Sequence, residues 1–131
     1  MKAEELMIKP SDLRLGNWVM YDNRYFQISM IADVFPELNT TEFGIGVVDY
    51  NNISAIPLSE EVLLKCGFEK GDFSKTYVRY SIGNFNIIHD TDKGIFICDG
   101  IKYTLVCVEY LHQLQNLYYA LTGEELEVKW S

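Results

Sequence analysis

Apolar residues recur along this chain at two different periods, and the change of period marks out its elements. Between Tyr110 and Thr122, Leu111, Leu114, Leu117, Tyr118 and Leu121 follow one another at three- and four-residue steps, the stripe of an amphipathic helix. His112, Gln115, Asn116 and Tyr119 gather on the opposite side, and Gly123 supplies the left-handed position that ends the helix. Upstream the period falls to two. Asn17 to Tyr21 and Tyr25 to Ile31 are rich in aromatic and β-branched residues, with Asp22-Asn23-Arg24 as turn chemistry between them, which predicts a hairpin. In its second strand Phe26, Ile28 and Met30 alternate with Gln27 and Ser29, so one face is buried and the other wet.

The remaining segments fill in an α+β architecture. Pro10 to Gly16 predicts one short helical turn, Ala32 to Glu42 a loop around Pro36, and Phe43 to Tyr50 and Ile53 to Pro57 two further strands. Gly44 and Gly46 alternate within the first of these, which suits a tight bend. Short strands at this spacing predict a small SH3-like curled β-unit over residues 1–57. Ser59 then caps a short connecting helix that runs to Cys66 and stops at Gly67. Beyond it, Gly83-Asn84 and Asp99-Gly100 read as two-residue turns and Asp90 to Lys93 as a four-residue loop, which predicts a four-stranded antiparallel meander from Thr76 to Val108. Those turns place Tyr80 opposite Ile87, Ile87 opposite Phe96 and Phe96 opposite Tyr103, and they put Cys107 about 20 Å from Cys98. Ile88, Ile95 and Ile97 fall on the otherwise polar face of this sheet. Residues 58–131 thus form a second subdomain of helix, antiparallel sheet and C-terminal helix, unless the two halves make one compact domain.

Composition narrows the function more than it defines it. A chain of 131 residues, 48% of them hydrophobic, can bury one sizeable core or two small ones. The formal charge of −8, with eleven scattered basic residues, argues against direct contact with nucleic-acid phosphates. No apolar run approaches the roughly 18 residues of a membrane span, and no signal-like leader is evident, so a cytoplasmic location with no membrane partner is expected. Three cysteines without C-x-x-C spacing suggest neither a disulfide framework nor a zinc site, and read as small buried hydrophobes.

Three stretches carry a family likeness: Asp12-Leu13-Arg14-Leu15-Gly16-Asn17-Trp18-Val19, then Ile56 to Phe68 (IPLSEEVLLKCGF), and His112 to Leu126 (HQLQNLYYALTGEEL). Together they resemble a family of short uncharacterised proteins of gut anaerobic bacteria and their prophages. The resemblance spans the chain and implies a mobile-element context and an intracellular location, with no catalytic residue to carry over.

The candidate chemistry centres on His112, Gln115, Asn116 and Tyr119. One reading makes them a binding face for a partner or polar ligand, with His112 as a general base in its enzymatic version. The other makes them scaffold, with the leucines on the C-terminal sheet and the amides hydrogen-bonded to backbone of the N-terminal unit. His89 with Asp90 and Asp92 can be drawn as a metal site, but loop carboxylates of this kind are ordinarily solvated. No nucleophile elbow, P-loop, zincin or paired-carboxylate motif is present, and no cofactor is called for. The sequence therefore points to a non-enzymatic interaction or accessory module for a protein partner. The alternatives are an acidic decoy of nucleic acid acting on a host or defence protein, and an enzyme of unfamiliar type using His112.

Overall fold

The computed structural model describes residues 12–30, 37–39, 44–47, 52–101 and 104–130. It is mixed α and β, with two antiparallel sheets and a C-terminal helix. By contact density the chain divides into two compact units, Met1–Pro57 with Tyr110–Asn116 and Leu58–Glu109 with Leu117–Ser131.

Unit 1 is built on a five-stranded sheet of β1 (Trp18–Tyr21), β2 (Arg24–Met30), β3 (Glu37–Asn39), β4 (Gly44–Val47) and β5 (Ile53–Ser54), in the order β4-β3-β2-β1-β5. The β1–β2 hairpin closes through Asp22 and Asn23 alone, both at positive φ (51° and 61°), while Arg24 pairs with Tyr21. Two left-handed residues make the tight turn whose twist matches its strands, and Asp and Asn tolerate that conformation better than most side chains. Part of the expected 32–42 loop is strand, because Glu37–Asn39 is paired on both sides. The rest of that loop, the helical turn's Pro10 and Ser11, and residues 48–50 lie outside the described residues. Phe26 and Ile28 are buried, as their alternation requires, and they pack with Leu13, Val19, Ile53 and Ala55.

Unit 2 holds α1 (Glu60–Lys65) and a second five-stranded sheet of β6 (Glu69–Phe73), β7 (Tyr77–Ile82), β8 (Phe85–Asp90), β9 (Ile95–Ile101) and β10 (Thr104–Val108), in consecutive order. Ser59 caps α1, its hydroxyl accepting the Val62 N–H at 3.2 Å. Strand β6 is additional to the four expected strands; its polar Glu-Lys-Gly-Asp gives no alternation to read, and all five of its residues are exposed. Tyr80 does face Ile87, but the next pairings differ from those expected. Ile87 faces Cys98, His89 faces Phe96, and Phe96 faces Val108. Two causes account for this. Gly94, at φ 69°, joins the loop after β8 and donates its N–H to the Asp90 carbonyl at 2.8 Å. Asp99-Gly100 is not a turn, since β9 runs through it to Ile101. The longer ladder sets buried Cys98 beside Val106 and buried Phe96 beside buried Val108, and that packing outweighs a local turn preference. Ile88, Ile95 and Ile97 are half-buried.

The helix α2 (Leu111–Thr122) ends at Gly123, which sits at φ 77°. Gln113 reaches back to accept the Tyr110 N–H at 3.1 Å, half of a capping box. The expected apolar stripe grades along the helix: Leu111 and Leu114 are wholly buried, Leu117 is half-buried and Leu121 is 39% exposed. His112 and Gln115, on the expected polar side, are buried too, so that among residues 111–115 only Gln113 is exposed.

Candidate functional site

The polar residues of α2 that fall in unit 1 meet the loop that leads into β1. Asn17 organises that loop. Its side-chain oxygen accepts the Arg14 N–H at 2.6 Å, its own N–H bonds the Arg14 carbonyl at 3.1 Å, and Gly16 between them takes φ 88°, which favours glycine. The loop is then tied to β2 by Gly16 N–H to the Ile28 carbonyl and Ile28 N–H to the Asn17 carbonyl, each 2.8 Å.

Onto this fixed backbone α2 lays two amide side chains. Gln115 accepts the Trp18 N–H at 2.8 Å and donates to the Gly16 carbonyl at 3.0 Å, so it pairs with one edge of the chain as a neighbouring strand's peptide group would. Asn116 accepts from Arg14 Nε at 3.0 Å and from Asn17 Nδ2 at 2.9 Å, and donates to the Asp12 carbonyl at 2.9 Å. The orientation of both amides is fixed by this pattern. Turning Gln115 over sets oxygen against oxygen and N–H against N–H. Wholly buried Asn17 is thereby satisfied, and the functional ends of Gln115 and Asn116 are occupied by internal partners.

His112 lies beside this network at 3% exposure, its ring parallel to that of Tyr110 with centroids 6.0 Å apart. Its Nδ1 is buried with no hydrogen-bond partner among the described residues. Burial lowers the imidazole's pKa, and the nearby charge of Asp12 offsets only part of that effect. A neutral ring with its proton on Nε2 is the form that leaves the fewest groups unsatisfied, because Nδ1 then carries only a lone pair. Tyr119 is not part of this arrangement; it belongs to unit 2 and is exposed. The structure therefore joins His112, Gln115 and Asn116 to Asp12, Arg14, Gly16, Asn17 and Trp18. Sequence reading missed these partners, which lie about a hundred positions away, where no spacing rule reaches.

The other candidate groups have structural occupations. The Asp90 carboxylate accepts the N–H groups of Asp92 and Lys93, each at 3.1 Å, and so shapes the β8–β9 loop. His89 is stacked on Phe96 with centroids 4.1 Å apart, and as Asp90's neighbour in a strand it points to the other face. Tyr80 donates its hydroxyl to Glu60 at 3.0 Å, and Lys70 bridges the same carboxylate at 2.9 Å. Burial pushes the thiols of Cys66 and Cys98 up to about 12, far from the thiolate form a nucleophile needs. Cys107, expected to be buried, is exposed instead. No helix among the described residues is long and apolar enough to cross a membrane.

No protein-family model, curated protein or solved structure matches this chain, so its chemistry is read from its own residues.

Proposed function

We propose that the chain is a non-enzymatic interaction module for a protein partner, acting through the exposed hairpin ends of unit 2. One observation carries this reading: Phe73, at the end of β6, is 73% exposed, and Tyr77 across the same turn is exposed as well. Burying a Phe ring stabilises a complex by roughly 1.5–3 kcal/mol, and exposed aromatics of this kind serve as interface anchors. The turn that bears them is held in place. Ser74 N–H bonds the Tyr77 carbonyl at 2.8 Å, and Thr91 in the next loop donates its N–H to Thr76 at 2.9 Å and its hydroxyl to Lys75 at 3.3 Å. Two loops fastened together lose little entropy when a partner orders them.

The internally hydrogen-bonded amides of Gln115 and Asn116 support the scaffold reading of α2, and the burial of His112 weighs against catalysis through it. Exposed Lys75 and Lys93 alternate with exposed Asp72 and Asp92 at the hairpin ends, and this mixture of signs disfavours that end as a carboxylate-lined mimic of nucleic acid. The SH3-like description of unit 1 belongs to the same proposal, supported by the register shifts between Ile28 and Met30 and between Leu38 and Asn39, which curl a sheet. The test is affinity capture from the native host with the full chain and with Phe73→Ser. A partner retained by the first and lost by the second supports the reading, and one retained equally by both removes the hairpin ends from it.

A further inference from the structure

Unit 2 carries a groove away from the hairpin ends, between the β7–β8 turn and the last turn of α2, with a volume of about 360 Å³. Its apolar lining is Ile82, Phe85, Tyr118 and Leu121, with Phe85 and Tyr118 edge to face at 5.0 Å, and its polar lining includes Thr122 and Glu124. Leu121 stands in the open at 39% exposure. The electrostatics are one-sided: α2 has no basic residue in its last turn to offset the negative end of the helix dipole, and Glu124 adds a carboxylate beside it.

We infer that this groove docks a segment of a partner protein in which an apolar side chain is followed by Lys or Arg. The apolar side chain lies against Leu121 and the aromatic pair, and the cation takes the position between Glu124 and the carbonyl end of α2. Charge complementarity selects this occupant over an acidic or neutral one. The groove is partly open to solvent, so it encloses only part of what it holds. That suits a side chain presented on a larger partner better than a free small molecule, which needs most of its surface enclosed. This docking does not depend on Phe73, so it stands or falls separately from the hairpin-end reading.

The experiment is an amide NMR titration of the full chain with acetyl-Phe-Lys-amide, and in parallel with acetyl-Phe-Gln-amide. The lysine probe should give saturable shifts confined to residues around Gly83 and from Leu121 to Glu124, with a weaker response to the glutamine probe. Glu124→Gln should weaken the lysine probe about two- to fivefold, as expected for a solvent-exposed charge pair, and narrow the gap between the two probes. Leu121→Trp, which fills the groove, should abolish the shifts, with Leu121→Lys as a second variant that repels the cation and leaves the helix surface polar. Absence of saturable shifts at these residues overturns the inference. So does an equal response of the native chain to both probes.

Discussion

Cys98 and Cys107 sit one residue out of step on adjacent antiparallel strands, Cys98 opposite Val106 and Cys107 opposite Ile97, and so belong to opposite faces of one sheet. They are close in space and still cannot join, because a disulfide requires both Cβ vectors to point toward each other. The expected absence of a bond between them thus has a different cause from the separation along the strand that the sequence suggested. In folded protein a water-soluble thiol reagent should modify Cys107 rapidly and leave Cys66 and Cys98 untouched until the chain unfolds, since burial holds both of those thiols near 12. Two fast-reacting thiols in a native-state titration would contradict this register.

Gln115→Ala should destabilise the fold by about 1–3 kcal/mol, because it leaves the buried Trp18 N–H without its acceptor. Gln115→Glu should cost more than its similar shape suggests. It keeps the acceptor for Trp18 but sets a second carboxylate oxygen against the Gly16 carbonyl, in a buried site. Urea melts of the three proteins, with unchanged slopes, measure both differences.

Leucines on α2 should differ in importance along its length. Leu114→Ala is expected to cost about 2–5 kcal/mol, as for a side chain with no exposure, whereas Leu121→Ala should stay within about 1 kcal/mol. Equal losses at the two positions, read from thermal melts, would show that the burial gradient along the helix is wrong.

The pH dependence follows from His112. Its pKa in the folded chain lies below the ordinary 6.5, so below that pH the unfolded chain takes up a proton that the native chain resists. Stability is therefore complete above about pH 6.5 and declines as the pH falls toward the folded value. Asp12 is the charged group that attracts the proton and limits the decline. His112→Asn should flatten the curve below about pH 6.5. Glu60, held below 4.5 by its hydrogen bonds from Lys70 and Tyr80, loses its contribution only below that pH, and chemical-denaturation curves measured across pH follow both groups.

Local signals in the sequence led to correct local structure. Ser59 and Gly67 bracket α1, Gly123 ends α2, and Gly83-Asn84 turns β7 into β8 in the expected register. Sequence reading failed where two local signals compete or where a partner is remote. Asp99-Gly100 has the composition of a hairpin turn, yet β9 runs through it to Ile101, in a register that sets buried Phe96 opposite buried Val108. Gly94 decided the β8–β9 register because it supplies the left-handed loop position, and reading the loop as Asp90 to Lys93 left it in the strand. The amides of α2 were visible as polar residues on one side of a helix, but that pattern is the same for a binding face and for a buried clamp. Only the position of the Gly16 carbonyl and the Trp18 N–H distinguishes the two.

The clamp also sets an order of events during synthesis. The partners of Gln115 and Asn116 lie 97 to 104 positions earlier in the chain. The contacts from α2 to the loop around Asn17 therefore form only after a further hundred or so residues have been synthesised, although β1 can pair with β2 before then. At the usual rate of translation, about 5–20 residues per second, the Trp18 N–H and the Asp12 carbonyl wait several seconds for their partners on α2. Contacts of such long range slow folding, and they leave the loop ahead of β1 incompletely secured until α2 arrives.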